Sequence, residues 1–326
     1  MKILVTGATG LIGSHLIKEL LKGDVVLYTA GRSVAKLKDS FKEYLENPNL
    51  HFCEYGETIA NIEALGHLDY IFHLAGPIDP EIIRNRPMDV VRPNVIDLNK
   101  ILEYAAKEKE NNHHCRVVVT SSCAIYQNNL ETDITIAEED SARTDYAGDT
   151  FACYTESKRY AELMSLSYAK QYGVDVVVGR ISYVYGYTKH MPQTAIYSFM
   201  GRALKGEKIE VQTVNLPRRD WIYVDDVVTG LIIIATKAKS GEVFNISSNG
   251  DKENYAALDE FARSICKVVY KNATEEHLFA PKSEQRKPGL RFNNAKLKEC
   301  GWKVNFSLEE GIKETIMYYQ NCKSYR

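Results

Sequence analysis

The sequence lacks the features that mark several large classes of protein. Seven cysteines are spread over its 326 residues without a CxxC pair, which excludes a zinc ribbon and argues against a disulfide framework. The longest apolar run, at residues 231–235, is too short to cross a bilayer. Because 41 basic residues face 43 acidic ones, the net charge is only -2, which is untypical of a nucleic-acid binder or a polybasic membrane-surface protein.

The first residues, MKILVTGATG, pass directly into a predicted strand and a glycine loop, so we expect no signal peptide. Together with the scattered cysteines, this predicts a cytoplasmic protein with reduced thiols. We expect its partners to include neither nucleic acid nor a membrane.

Short β-branched runs alternate with amphipathic helical stretches over the first 180 residues. This alternation is typical of a parallel sheet that is covered by helices on both faces. We predict an α/β fold, a doubly wound sheet of Rossmann type, with strands near residues 3–6, 25–29, 49–55, 70–75, 116–120 and 174–180. The two longest helices are expected at residues 94–109 and 154–172.

The composition changes after residue 180, where Tyr, Pro and Thr become frequent. We predict a dinucleotide-binding domain of residues 1–181, to which residues 225–248 return as a helix and a strand. Residues 182–224 and 249–326 would then form a smaller C-terminal substrate-binding domain.

A glycine-rich segment follows the first predicted strand and opens the first helix. Glycine allows the backbone to approach a pyrophosphate closely, and a helix N-terminus offers free N–H groups and a positive dipole end. Its position between a buried strand and an apolar helical stripe makes the segment a specific signal. The predicted cofactor contacts of this segment are Gly7, Thr9, Gly10, Leu11, Ile12 and Gly13.

The end of the second strand is where this fold distinguishes NAD from NADP. Gly31, Arg32 and Ser33 stand there, without an acidic residue. An acid would bind the 2′-hydroxyl of NAD, whereas an arginine attracts a 2′-phosphate. Arg32 therefore favours NADP.

Tyr154 and Lys158 are four residues apart, so they share one face of a helix. A tyrosine has a pKa of about 10, and a lysine ammonium one turn away, with a positively charged nicotinamide, favours the phenolate and lowers that value. Such a tyrosine can take the proton of a substrate hydroxyl while hydride leaves for the nicotinamide. The fifth strand ends in Thr120, Ser121 and Ser122, which places hydroxyl groups at the same edge of the sheet.

Five motifs occur in an order and spacing that resemble the extended short-chain dehydrogenase/reductases, and in particular the NAD-dependent epimerase/dehydratase family acting on nucleotide sugars. They are TGATGLIG at 6–13, HLAG at 73–76, SSCAIY at 121–126, YTESK at 154–158 and RRDWIYVDD at 218–226. The resemblance extends over nearly the whole chain.

The resemblance implies a role for each matching residue. Tyr154 matches the catalytic base, Lys158 its partner, and Ser122 the hydroxyl that binds the reacting oxygen. Arg219 matches an arginine that grips the substrate diphosphate, which a bidentate guanidinium suits, and Arg286 matches a second nucleotide contact. Further implied cofactor contacts are Leu74, Ala75, Gly76 and Asn94, besides Tyr154 and Lys158.

Departures from the family pattern reduce the number of candidate reactions. The sugar 4,6-dehydratases carry Asp-Glu directly after the catalytic Thr, and the UDP-glucuronate decarboxylases carry a Glu two residues after it. Here Cys123 and Ala124 stand at those positions, and neither transfers a proton usefully. Both reactions are weakened as hypotheses. Tyr183 replaces an Asn that contacts the substrate phosphate in many members, and we retain it as a substrate-binding residue.

These observations predict a nucleotide-sugar epimerase, similar to UDP-glucose 4-epimerase, that retains its nicotinamide cofactor and is an isomerase overall. One alternative is an NADPH-dependent reductase of a keto-sugar or other carbonyl, for which Arg32 argues. Another is a nucleotide-sugar decarboxylase. A non-catalytic dinucleotide sensor would leave the set Ser122, Tyr154 and Lys158 unexplained. The cofactor is NAD(P): the epimerase resemblance favours NAD, and Arg32 favours NADP.

No spacing typical of metal ligands is found, so no metal site is predicted. His113 and His114 lie in a polar stretch, which we interpret as a solvated loop rather than a metal-binding pair.

Relatives that the chain resembles pair through the helices that correspond to residues 94–109 and 154–172. Both helices carry apolar side chains beyond the stripe that one sheet contact requires. A two-fold pairing would cover them, so we expect a homodimer.

Overall fold

The computed structural model describes residues 1–126, 132–140, 151–212, 215–271, 274–280 and 286–322. The strands, in chain order, are β1 Lys2–Thr6, β2 Val26–Gly31, β3 Leu50–Glu54, β4 Tyr70–His73, β5 Arg116–Ser122, β6 Ile134–Ile136, β7 Asp175–Ile181, β8 Tyr183–Tyr185, β9 Ile209–Glu210, β10 Arg219–Tyr223, β11 Val243–Ile246, β12 Tyr255–Ala256, β13 Leu278–Phe279 and β14 Leu290–Phe292.

The α-helices, in chain order, are α1 Leu11–Leu20, α2 Val34–Ser40, α3 Tyr55–Ala60, α4 Pro80–Asn85, α5 Pro87–Val91, α6 Leu98–Glu110, α7 Ala152–Tyr172, α8 Ala195–Leu204, α9 Val224–Lys237, α10 Leu258–Tyr270, α11 Thr274–His277, α12 Ala295–Glu299 and α13 Leu308–Asn321. A π-helical segment, Arg92–Asp97, leads into α6. Shorter 3-10 turns include Cys123–Tyr126, directly after β5.

Seven strands form the main sheet in the order β3-β2-β1-β4-β5-β7-β11, and every pairing is parallel. The valine runs of β5 and β7, at residues 117–119 and 176–178, are buried. They suit strands in the interior of the sheet, because a strand that is covered on both faces needs continuous apolar side chains. The predicted doubly wound α/β fold is confirmed. The strand order reverses between β1 and β4, and ligands of this fold bind at the carboxyl ends of the strands beside that point.

Residues after the sixth predicted strand also contribute to this sheet. Helix α9 packs against α1, β5 and β7, and β11 pairs with β7 in the register Val243 to Val178. The predicted division into two domains stays a prediction.

A second sheet has the strand order β12-β10-β14-β6, and β8 pairs with residues 221–223 of β10. Aromatic side chains of β8 and β10 pack with Phe261 of α10, as in the contact of 4.7 Å between the ring centroids of Trp221 and Phe261. These strands are two to five residues long, too short to show a period in the sequence. Strand β10 brings Arg219 toward the edge where β5 ends.

All seven cysteines are free thiols. Within the described parts of the chain, no helix is both long and apolar enough to span a bilayer.

Candidate active site

The glycine loop is packed so closely that it has no room for side chains at two positions. Gly7 has a φ of +69°, and a Cβ there would lie 2.7 Å from the carbonyl oxygen of Leu74. A Cβ on Gly13 would lie 2.3 Å from the carbonyl oxygen of Gly7. The loop therefore rests directly on the segment that follows β4.

The N-terminus of α1 is available to a ligand. Gly10 is its N-cap residue, and no side chain caps the helix there, so the first N–H groups of α1, at Leu11 and Ile12, have no side-chain partner. A bare helix N-terminus beside a glycine cradle fits the pyrophosphate of a dinucleotide. Thr9 lies in the same loop and lines a cavity that it shares with Arg32 and Lys36.

A buried hydrogen-bond network holds the segment after β4 against β1. The Thr6 hydroxyl accepts hydrogen bonds from the backbone N–H groups of Leu74 (3.1 Å) and Ala75 (3.2 Å). Its own proton goes to His73 Nδ1 (3.0 Å), because His73 Nε2 donates to the carbonyl of Pro93 (2.9 Å). Burial lowers the pKa of His73 to about 4. The network therefore requires the neutral imidazole.

His73 gives the protein an acid-sensitive contribution to stability. Its pKa is about 6.5 in an unfolded chain and about 4 in the folded one, so the folded state binds fewer protons between these values. The contribution is complete above pH 6.5 and is lost as the pH falls toward 4, which amounts to about 3 kcal/mol of unfolding free energy.

In the His73→Gln variant, the side chain at position 73 cannot take up a proton between pH 6.5 and 4. We expect the difference in unfolding free energy between wild type and variant to shrink as the pH is lowered from 7 to 4. Urea titrations at several pH values measure it. A difference that stays constant with pH would show that His73 is not held neutral.

Cations surround a cavity of about 510 Å³ that begins at the glycine loop and the end of β2. Arg32 and Lys36 are exposed, and neither makes an ion pair with another described residue. The Lys18 ammonium lies 3.7 Å from Glu43, and Lys189 pairs with Asp39. The lining residues are Thr9, Ser14, His15, Lys18, Arg32, Ser33, Lys36, Ser40, Tyr187, Thr188, Lys189, His190 and Tyr318.

His15 lines this cavity, although nothing in the sequence indicated it as a functional residue. Its Nδ1 lies 2.6 Å from the Asp225 carboxylate, and its Nε2 lies 2.9 Å from the carbonyl oxygen of Tyr187. These contacts join α1 to α9 and to the segment after β8. Asp225 lies 210 positions away along the chain, so no local pattern could reveal the pair.

The structure brings the three predicted catalytic residues together. Ser122 is the last residue of β5, Tyr154 lies in the first turn of α7, and Lys158 follows one turn later. The Ser122 hydroxyl lies near enough to the Tyr154 phenol to lower its pKa. The Lys158 ammonium donates to the carbonyl of Thr120 (2.8 Å). Both contacts tie α7 to the carboxyl end of β5.

Burial controls the protonation of this set. It raises the pKa of Tyr154 to about 12, and the hydrogen bond from Ser122 offsets part of the rise. The sequence predicts a lowering by Lys158 together with a bound nicotinamide. In the chain without cofactor, desolvation of the phenolate dominates, and the pKa of Tyr154 stands above its ordinary value. Burial also lowers the pKa of Lys158 to about 8.

Asn94 and Gly76 line the back of this site. The amide of Asn94 donates to the carbonyl of Val90 (2.9 Å) and to the Ser157 hydroxyl (3.1 Å). A Cβ on Gly76 would lie 3.2 Å from Asn94 Oδ1 and 3.7 Å from Lys158 Nζ. Asn94 thus braces α7, and both of its amide protons are used within the protein.

Cys123 stands next to the reacting groups. It is buried, and burial raises its pKa to about 12. Its thiol is near enough to raise the pKa of both Tyr154 and Tyr183. A thiol with this pKa is protonated at neutral pH and cannot act as a base.

Tyr183 and Arg219 form one wall of the site. The guanidinium of Arg219 lies 5.0 Å from the centre of the Tyr183 ring and 5.9 Å from that of Trp221. A guanidinium over aromatic faces is oriented by cation–π attraction while its N–H groups stay available. Arg219 lowers the pKa of the Cys123 thiol, and Cys123 raises the pKa of Tyr183, so all three residues lie near one another.

Arg286 has a different partner. It makes a bidentate ion pair with Asp259 of α10, with both N–O distances 2.7 Å, and lies 3.7 Å from Glu260. A nucleotide contact by Arg286 would require this pair to open or to share the guanidinium. The sequence did not indicate this competition.

The parallel sheet, the glycine cradle and the serine–tyrosine–lysine set define a dinucleotide-binding protein of the short-chain dehydrogenase/reductase type. The sequence profile of the NAD dependent epimerase/dehydratase family matches residues 3–247. The chain belongs to this family and is an enzyme of it.

Several proteins are similar over nearly the whole chain. UDP-glucuronic acid decarboxylase 6 of Arabidopsis thaliana is 29% identical over 323 residues, which cover 96% of this chain and 87% of that protein. The structure of dTDP-glucose 4,6-dehydratase from Bacillus anthracis in complex with NAD has a TM-score of 0.80 at 24% identity, covering 100% and 98% of the two chains. UDP-glucose 4-epimerase of Thermotoga maritima with UDP-glucose has a TM-score of 0.80 at 25% identity, covering 98% and 99%.

Proposed function

We propose that this protein oxidises a ring hydroxyl of a nucleotide sugar, with Tyr154 as the group that takes the hydroxyl proton. The observation that carries the proposal is the contact of Ser122 with Tyr154, one helical turn from buried Lys158 and beside the glycine cradle. A bound nicotinamide would supply the hydride acceptor.

The roles of the three residues follow from their positions. Ser122 has one hydroxyl proton, which it would donate to the phenolate as it forms. Lys158 would hold a positive charge near that phenolate, since its pKa of about 8 leaves it mostly protonated at pH 7. Both contacts favour the charged tyrosine that burial disfavours.

Of the net reactions that can follow oxidation, we favour decarboxylation of a uronic acid sugar. The similarity to a UDP-glucuronic acid decarboxylase over 96% of this chain supports this alternative over the predicted epimerase. Oxidation of the hydroxyl two carbons from the carboxylate gives a β-keto acid, which loses CO₂ readily. Loss of CO₂ leaves an enolate whose carbon must take up a proton, and with Cys123 and Ala124 in place of acids this proton would come from water. Elimination of water would instead need both an acid and a base in the site.

Epimerisation is the second candidate, and the side chains after Ser122 favour it. Cys123 stays protonated and Ala124 has no titratable group, so Tyr154 is the proton-transfer group that the described site offers. Return of hydride to the other face of the keto-sugar requires no further proton donor.

The products distinguish these reactions. Purified protein would be incubated separately with UDP-glucuronic acid, UDP-glucose and a keto-sugar plus NADPH, and the products identified by mass spectrometry and NMR. Release of CO₂ from the uronic acid supports decarboxylation, and inversion of the neutral sugar supports epimerisation. Net consumption of NADPH would instead identify a reductase. No reaction in all three would contradict the proposal.

The cofactor proposal rests on the lining of the cationic cavity. Arg32 and Lys36 stand where the adenosine ribose of a dinucleotide would end, and the cavity lining contains no acidic residue. This supports NADP, because guanidinium and ammonium groups attract a 2′-phosphate. Release of bound dinucleotide from purified protein and its identification test this directly; retained NAD would contradict it.

Arg219→Ala is expected to weaken binding of a nucleotide sugar about 10- to 100-fold, because one charge-assisted contact contributes about 1.5–3 kcal/mol. Cofactor affinity should stay unchanged. Arg218→Ala is the matched control, since the neighbouring guanidinium is exposed and paired with Glu260 (2.6 Å). Calorimetric titration measures all four affinities. Equal affinities for both variants would place the diphosphate elsewhere.

We also propose that the protein is a homodimer that pairs through α6 and α7. Leu163 and Tyr160 of α7 are 61% and 52% exposed. Leu163→Glu should convert the dimer to a monomer, since an unpaired carboxylate would be buried at the interface. Phe279→Glu, at an apolar side chain with 55% exposure on β13, is the control. Light scattering reports the mass; a monomeric wild type would refute the pairing.

A further inference from the structure

Three potential metal ligands meet at the edge of the main sheet opposite Ser122. His67 precedes β4, Glu108 lies in the last turn of α6, and His113 precedes β5. One ligand atom of each lies within 4.8 Å of those of the other two. Glu108 Oε2 is 2.6 Å from His67 Nδ1 and 3.3 Å from His113 Nδ1.

We propose that His67, Glu108 and His113 bind a divalent transition-metal ion, with Zn²⁺ as the representative ion. Zn²⁺ binds nitrogen and oxygen ligands at about 2.0–2.1 Å, so tetrahedral ligands stand about 3.4 Å apart. The distance between Glu108 and His113 already has this value, and that between Glu108 and His67 must open by less than about 1 Å. Two imidazoles and one carboxylate suit Zn²⁺, Co²⁺ or Ni²⁺ rather than Mg²⁺, which prefers oxygen.

Asp69 supplies the second shell that such a site requires. Its Oδ1 lies 3.4 Å from His67 Nε2, the ring nitrogen that a metal bound at Nδ1 would leave free. Its other oxygen accepts a hydrogen bond from the backbone N–H of Lys2 (2.6 Å). A carboxylate that accepts the second N–H of a ligating histidine fixes the tautomer and the ring orientation.

The backbone holds His113 in place before any ion binds. Asn112 has a φ of +59°, a left-handed conformation that asparagine tolerates, and the N–H of His113 donates to the carbonyl of Glu108 (2.8 Å). This turn directs the chain back over the C-terminus of α6, whose dipole favours a cation. The Glu108 side chain is only 12% exposed, whereas that of His113 is 53% exposed, which leaves room for water ligands.

The site would stabilise the fold and take no part in catalysis. An ion would connect the loop before β4 to the end of α6, and the cluster lies at the amino ends of the strands, whereas the catalytic set lies at their carboxyl ends. Binding to the folded chain alone raises stability by mass action.

The test uses the tag-free full chain after treatment with a chelator. Titration with ZnCl₂ by calorimetry and with CoCl₂ by visible absorption should show one bound ion with micromolar affinity and a rise in Tm. His67→Ala and His113→Ala should each weaken binding at least tenfold and abolish the rise in Tm. Asp69→Asn should weaken binding about 10- to 100-fold.

His114→Ala is the matched control, because this adjacent histidine is exposed and pairs with Asp175 instead (2.8 Å). It should bind Zn²⁺ as the wild type does. Wild type that binds no ion, or equal binding by the His67→Ala and His114→Ala variants, would overturn the proposal. Thermal unfolding without metal shows whether each variant is folded.

Discussion

Tyr154→Phe is expected to lose turnover by about 10²–10⁴-fold, the range that general acid–base catalysis contributes, while folding and cofactor binding stay nearly intact. The phenyl ring still fills its place in the first turn of α7, and only the phenol oxygen, which lies near Ser122, is removed. Turnover of the substrate identified by product analysis gives the effect.

The control for this variant lies on the same helix. Tyr172→Phe removes the hydroxyl of an exposed tyrosine in the last turn of α7, so its turnover should match that of the wild type. Thermal unfolding and retention of dinucleotide during gel filtration show whether the fold and the cofactor site persist. A Tyr154→Phe variant with more than a tenth of the wild-type activity would mean that another group takes the proton.

Gly13→Ala is expected to weaken cofactor binding. The new Cβ would lie 2.3 Å from the carbonyl oxygen of Gly7, so either the loop or the start of α1 must move. Overpacking of this kind costs about 1–3 kcal/mol, which corresponds to a loss of about 5- to 150-fold in dinucleotide affinity if the strain falls on the bound state. Titration of dinucleotide by fluorescence or calorimetry measures the loss.

Gly23→Ala provides the comparison for the same change of residue. A Cβ at Gly23, just after α1, would have its nearest contact at 3.6 Å, an ordinary van der Waals distance. This variant should bind dinucleotide like the wild type. Unchanged affinity in Gly13→Ala would show that the cradle does not hold the pyrophosphate.

The main sheet was predictable because its signal is local. A strand that is buried on both faces needs consecutive apolar residues, and valine runs such as those of β5 and β7 satisfy this within a few positions. The glycine segment at 7–13 was equally clear, since its steric requirement acts on neighbouring residues. Tyr154 and Lys158 were recognisable as a pair because four positions make one helical turn.

The second sheet and the partners of its side chains were not predictable. Its strands have two to five residues, so apolar alternation cannot be separated from chance. The bidentate pair of Arg286 with Asp259 joins residues 27 positions apart, and the charge of Arg286 by itself did not indicate which acid it meets. The resemblance implied a nucleotide contact, whereas the folded chain offers a competing carboxylate.

The sequence by itself determined that the sheet is parallel and doubly wound. It also determined the glycine cradle and the identity of the serine, tyrosine and lysine at the carboxyl edge of the sheet. Tertiary structure decided the properties that depend on surroundings. Burial sets the pKa of Tyr154 at about 12, against the direction predicted from its neighbour along the helix. Contacts between residues 41 positions apart bring His67 to Glu108, a pair that no local spacing indicated and that we propose as ligands of a metal ion. The hydrophobic period of a strand or helix and the steric requirement for glycine depend on neighbouring residues, so the sequence shows them directly. Desolvation of a side chain and the contacts of a possible metal ligand depend on which distant residues the fold brings together.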